Sequence, residues 1–201
     1  MGVGTMIIFI AGILIAGVVA NVLIQTMNSL QQQAMTTGQE TIREVASGVK
    51  ITQVSGYVQS SSITQLAILV TPIAASEPID LSTAILSLSD SKVNVILNYS
   101  SKCFNSSISN NGLFGTINTS NLTSTTYGVI VIRDTDSSCT VSKPIINDRD
   151  IVALIVNTTK CFSGIKTRTT VSGVLYPEHG ITGIISFTTP SSFINTIVDL
   201  Q

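Results

Sequence analysis

The hydrophobic positions of this chain change period once, and the change divides it. From Gly2 to Thr26 no residue is charged, and Met6 to Ile24 is a run of 19 residues interrupted only by Gly, Ala and Asn21. At 1.5 Å per residue such a helix is roughly 28 Å long, enough to cross a hydrocarbon core. Beyond it, Leu23, Met27, Leu30, Ala34, Gly38, Ile42, Val45 and Val49 recur at spacings of three and four, which is one face of a helix. The pattern predicts a single helix from Val3 to Ser47, roughly 65–70 Å long, with Gly48 as its stop. Gly12, Ala16 and Ala20 make a ridge of small residues at four-residue spacing, which lets helix backbones approach closely. A helix this apolar needs neighbours. Ile7, Ile8, Phe9, Ile13 and Leu14 are expected to be buried between copies of the chain, and with Gly12, Ala16 and Ala20 they form the predicted packing set.

After Gly48 the period becomes two. Val93, Val95, Leu97 and Tyr99 alternate with Asn94, Ile96 and Asn98, a strand with one apolar face. Similar runs lie at 66–73, 79–85, 128–132, 151–156, 170–175, 181–187 and 193–200, separated by turn-forming residues. The predicted fold is α+β: one long hydrophobic helix over 1–48, then an antiparallel β-sandwich over 49–201, with an immunoglobulin-like arrangement expected. The segment 105–126 is mostly Ser, Thr, Asn and Gly and reads as an exposed loop or short hairpin.

Composition narrows the function classes. Charged residues are 10% of the 201, against about 25% in ordinary domains, and the net charge is −1 with no basic or acidic block. Electrostatic binding of nucleic acid is therefore not expected. The opening segment has three readings. A cleavable signal peptide suits Val18-Val19-Ala20, but the positive n-region is missing and the apolar run is too long. A plain membrane anchor lacks flanks that would orient it, since no Lys or Arg precedes Arg43. The third is a helix that crosses a membrane temporarily and then packs against copies of itself. The unbroken stripe beyond any membrane boundary favours it.

No catalytic constellation is present in the pattern. The one histidine, His179, lies in YPEHG, where Pro177 and Gly180 indicate a turn. Asp134-Thr135-Asp136-Ser137-Ser138 resembles the start of a calcium loop, but Cys139 replaces the required Gly and Ile145 the required Glu. Asp148 and Asp150 are read as a solvated turn. No cofactor is expected, a structural divalent cation in an outer loop being the only candidate. Five sequons, at Asn98, Asn105, Asn118, Asn121 and Asn157, lie in the second region and none in the helix, as a surface bearing N-linked glycans would show. Sugars would solubilise a domain with few charges. The cysteines, Cys103, Cys139 and Cys161, match no zinc spacing. If the strands around 93–99, 127–133 and 151–157 run up, down and up, Cys103 and Cys161 emerge at one end. A Cys103–Cys161 disulfide is then expected, leaving Cys139 alone.

GVGTMIIFIAGILIAGVVANVLIQT followed by LQQQAMTTGQETIREVASGVKI resembles the start of a mature archaellin, the archaeal flagellin, and VSGVLYPEHGITGIISFTTPSS is similar to that family's closing strands. The resemblance implies a structural subunit of the archaellum, a helical swimming filament, and not an enzyme. It implies a short basic leader removed by a prepilin-type peptidase, with Met1 just after the cleavage point. It also implies partners: copies of the chain or a paralogous archaellin, and the basal machinery that draws subunits from the membrane into an extracellular filament. Helices would bundle in the filament core and β domains would form its surface. Bacterial type IV pilins usually carry Glu where Thr5 stands here. Two rivals remain at this point: an adhesion-type pilus subunit with the same N-terminal logic, and a cell-surface binding module on a membrane anchor.

Overall fold

A 45-residue helix and a curled β-sheet account for the chain. The structure, a computed structural model, describes residues 2–201; Met1, expected above as the first mature residue, lies outside them. In chain order the elements are α1 (Gly2–Ala46), β1 (Val49–Gln59), β2 (Ser62–Pro72), β3 (Ile79–Asp80), β4 (Ile85–Ser89), β5 (Asn94–Asn105), α2 (Leu113–Thr116), β6 (Thr126–Arg133), β7 (Ile145–Ile146), β8 (Ile151–Asn157), α3 (Thr158–Phe162), β9 (Thr170–Tyr176), β10 (Gly183–Thr188) and β11 (Ile197–Asp199). By contacts the chain divides into Met1–Ile42 and Arg43–Gln201.

In the first unit no residue of α1 is buried. Its length follows from the sequence, since the first proline of the chain is Pro72. Five glycines stand inside α1, each costing about 0.5–1 kcal/mol relative to alanine in a water-exposed helix. Propensity alone therefore does not explain this helix.

In the second unit nine strands form one sheet in the order β10-β9-β4-β5-β6-β8-β2-β1-β11, and β3 pairs with β7 separately. The sheet doubles over at β5. Its first half pairs with β4, its second half with β6, and the β5–β6 register shifts between Tyr99 and Phe104. Strands that switch layers in this way make the corners of sandwiches. The two layers share one core, with Leu86, Leu88 and Leu97 from one and Leu66, Leu154 and Val129 from the other. Tyr127 is fully buried there, its hydroxyl donating to the carbonyls of Leu81 and Ala84 at 2.8 and 3.1 Å.

Three findings correct the sequence reading. The sheet is not wholly antiparallel, because β5 and β6 run parallel. A parallel pair needs a long crossover, and the crossover is the segment read as an exposed loop. It holds α2 and a 3-10 turn at Thr119–Asn121, and it packs Ile117 and Leu122 over Ala67, Ile130, Ala153 and Ile155. Strands β2, β6 and β8 are consequently covered on both faces. Val49, counted above in the helical stripe, belongs to β1 and is 2% exposed. Strand β1 itself escaped the pattern search because register shifts at Ile51/Gln53 and Tyr57/Val58 break its alternation.

Candidate assembly interface

The apolar surface of α1 is the largest chemical feature that the chain leaves uncovered. Ile7, Ile8, Phe9, Ile13 and Leu14 are all exposed, between 57% and 74%. Together with Ile10 and Ile15 they surround the helix, and a helix that is apolar on every side is built to be enclosed. Gly12, Ala16 and Ala20 fall on successive turns of one face. A Cβ added at Gly12 meets nothing within 4 Å, so the chain's own fold does not call for glycine there. Four threonines turn their hydroxyls back onto the helix. Thr5, Thr26, Thr36 and Thr41 each donate their hydroxyl to a carbonyl three or four residues back, at 2.9, 2.8, 3.0 and 2.7 Å. Such back-bonding satisfies the hydroxyl without water, and Thr5 can then sit among apolar groups where a Glu side chain would need a partner.

The last turn of α1, which belongs to the second unit, is tied into the β domain by backbone. Ser47 and Gly48 alone separate α1 from β1. Ser47 N donates to Arg43 O at 3.1 Å, Ile181 N to Ser47 O at 2.9 Å, Val49 N to Ile181 O at 3.0 Å and Ile73 N to Gly48 O at 2.9 Å. The Ser47 hydroxyl accepts from Glu77 N at 3.2 Å, and Arg43 pairs with Glu77 at 2.5 Å. Two glycines make this approach possible. Gly48 has φ +155° and Gly180 φ +87°; a Cβ on Gly48 would lie 2.7 Å from Ile181 N, and one on Gly180 2.2 Å from Ser47 O. The residues 178–180 form the bend expected of YPEHG. Sequence reasoning identified Gly48 as a helix stop and Gly180 as a turn, but not that the two meet. Glu77 gave no local signal.

The sequons separate. Asn98, Asn118 and Asn121 are exposed and Asn105 is half-buried. Asn157 is not available: it is 8% exposed, and its Nδ2, the atom a glycan would take, donates to Thr119 O at 2.9 Å. Its Oδ1 caps α3. Asn157 therefore leaves the glycosylation set.

The cysteines also depart from expectation. All three are free thiols. The up-down-up scheme behind the Cys103–Cys161 pairing does not occur, because β5 runs parallel to β6 and β6 antiparallel to β8. Cys103 is buried under the crossover beside Ile117 and Leu122, where burial pushes its thiol up. Cys161 lies in α3 with Sγ 3.7 Å from Ser124 O, pushed up to about 11 by burial. Cys139 is in the main core, pushed up to about 12 by burial first and then by the carboxylates of Asp134, Asp150 and Asp80.

Asp134, Asp136 and Asp150 converge, with carboxylate oxygens within 4.8 Å of one another. They are oxygen donors of the type hard divalent cations take, although the loop's own N–H groups already use them. Asp134 Oδ1 accepts from Asp136 N and Ser137 N at 3.2 and 2.7 Å, and its Oδ2 from Cys139 N at 3.0 Å. Asp150, expected in a solvated turn, is 1% exposed and accepts from Thr135 N and Asn147 N. Asp136 is held at about 2, chiefly by its hydrogen bond from the Asn147 amide at 2.7 Å.

Comparison with known proteins gives one consistent result. Residues 1–187 match the archaeal-type flagellin family. The chain is 41% identical over 207 residues to flagellin B2 of Methanocaldococcus jannaschii, and 40% over 205 residues to flagellin B1 of Methanococcus voltae. In both cases all of this chain and 94% of the relative are covered. The crystal structure of flagellin FlaB1 from M. jannaschii superimposes with a TM-score of 0.69 at 36% identity, covering 78% of this chain and 98% of that one. The archaeal flagellum of Methanospirillum hungatei shares the fold at 14% identity, with a TM-score of 0.68 and 100% of this chain covered.

Proposed function

The chain belongs to the archaeal-type flagellin family, and from that premise we propose how it works as a subunit of the archaellum. It is a structural protein of that extracellular filament, which serves swimming motility. In our reading α1 is the polymerising element, and copies of α1 enclose one another as the filament core while the β domains face outward. The observation that carries this is the exposure of every residue of a 45-residue helix whose first half is apolar on all sides, a surface that outside a membrane other copies can cover.

Before assembly the same helix, long and apolar enough to cross a membrane, waits in lipid. A prepilin-type peptidase removes a leader, and the basal machinery transfers the subunit to the growing base. Leaving lipid gains no hydrophobic energy, so close packing along Gly12, Ala16 and Ala20 supplies the attraction. The contact repeats head to tail without closing, which generates an open helix. N-linked glycans at two or more of Asn98, Asn105, Asn118 and Asn121 solubilise the outer layer, and the chain does no catalysis.

The test is Ile13→Asp. Burial of an aliphatic side chain is worth about 1.5–3 kcal/mol, and an unpaired carboxylate in its place costs more. The variant should leave no filaments by negative-stain microscopy while its β domain melts as the parent does. Normal filaments from this variant would remove α1 from the core.

A further inference from the structure

The two outer faces of the β domain are treated differently. Over β2, β6 and β8 the crossover segment supplies a cover, buries Ile117 and Leu122, and carries Asn118 and Asn121. The outward face of β10, β9, β4 and β5 is exposed or half-exposed throughout. Register places an apolar row across it. Ile96 of β5 pairs with Ser87 of β4, Ser87 with Val174 of β9, and Val174 with Ile184 of β10. Ile85 and Tyr176, themselves paired, form the next row. Ile96 is 57% and Ile184 66% exposed. Over 94–98, 85–89, 170–176 and 184–188 the other outward positions are Ser, Thr or Asn, so this part of the face lacks Asp, Glu, Lys, Arg and His, and the nearest outward charge on β5 is the exposed Lys102, beyond Asn98. Exposed sheet faces of soluble domains ordinarily carry charges that hold like surfaces apart.

We propose that this face docks against the β domain of a second copy of the chain within the filament; the proposal rests on the filament reading above. Four strands about 4.8 Å apart, each showing about five residues of about 3.3 Å, present on the order of 300 Å². A stable pair needs about 800 Å² from each partner. The face is thus too small to hold two free domains together. It suffices when another contact already holds the copies side by side, because tethering raises the effective concentration. Association through α1 is that other contact, which selects a neighbouring copy as the occupant over a free partner. The absence of charge fits as well, since a face of neither sign meets its like without repulsion. One consequence concerns Asn98, which is exposed on this face two residues along β5 from Ile96. A glycan there and a neighbour on the row exclude each other, so Asn98 is bare in native filaments.

Hydroxyl-radical footprinting tests the proposal on full-length chain that is the sole filament subunit. The Tyr176 and Ile184 peptides should be labelled several-fold more slowly in filaments than in dissociated chain, while Val141, exposed elsewhere on the domain, keeps its rate. A second measurement uses Ile184→Glu, which changes an exposed side chain. Its filaments should form, yet dissociate several degrees lower than the parent's. Equal labelling in the two states, slow labelling that persists after dissociation, an unchanged dissociation temperature, or a glycan on Asn98 would each overturn the proposal. These outcomes leave the filaments intact, whereas failure of the filament reading is seen separately as parent chain that forms none.

Discussion

α1 and the strands β2, β6 and β8 are composed of the same kinds of residue and meet opposite fates. In the first half of α1 Ile, Leu and Val dominate and none is buried. In β8 Val152, Leu154 and Val156 face the main core, while Ala153 and Ile155 face the crossover. Each of these is at most 1% exposed. The difference lies in who supplies the cover. The β domain brings its own second layer and its own crossover, so its apolar contacts are intramolecular and count toward folding. The helix up to Ile42 buries no residue of its own, and in the reading proposed above its contacts form when copies meet. Stability and assembly are therefore separable properties of one chain.

The largest expected effect exploits that separation. Leu154→Ala should destabilise the β domain by about 2–5 kcal/mol, the range for a buried leucine, read as a lower urea midpoint of the dissociated chain. Leu14→Ala should leave that midpoint unchanged and lower the fraction of chain recovered as filament. If Leu14→Ala shifts the midpoint as Leu154→Ala does, the two regions are not independent in the way described.

How far the sequence discloses each region follows from the same contrast. The helix was readable over almost its whole length because its signal is local: period, absence of proline, and Gly48 as the stop. The strand positions were readable where alternation is unbroken, as at 151–156. They were lost where a bulge resets the alternation, as in β1. What could not be read was which strand lies beside which. The parallel β5–β6 pair depends on contacts between residues far apart in sequence, and with it went the role of 105–126 and the cysteine geometry. A Ser/Thr/Asn-rich stretch reads as solvent-exposed, and its few packed apolar residues, Leu113, Phe114, Ile117 and Leu122, are what betray that it is a lid. Asn157 shows the same limit, because the sequon pattern carries no information about whether Nδ2 is occupied.

A smaller effect tests where the regions join. Gly180→Ala places a Cβ at φ +87° against Ser47 O, and strained backbone of this kind costs about 1–3 kcal/mol. The β domain should lose that much stability, read as a lower melting temperature. Parent-like melting would mean that the close approach of Gly180 to Ser47 is dispensable.

The last expected effect is a pH dependence confined to the β domain. The Cys139 thiol keeps its proton up to about pH 12 when folded, against an ordinary value near 9. Between those values the unfolded chain binds fewer protons than the folded one, so stability falls as pH rises. The contribution is complete below about pH 9 and is lost toward about pH 12; Tyr99, also raised to about 12 by burial, adds to it in the upper half. Urea midpoints from about pH 8 to 11 should decline, and Cys139→Ala should flatten the decline. Identical slopes for parent and variant would contradict the assignment.

The central claim is that α1 finds its cover only in other copies. A helical reconstruction of filaments made by this chain reads that directly. The account predicts a solid axis of parallel α1 helices, closest where Gly12, Ala16 and Ala20 face a neighbour, with β domains forming the outer layer. An empty central channel, or α1 folded back along its own β domain, would contradict it.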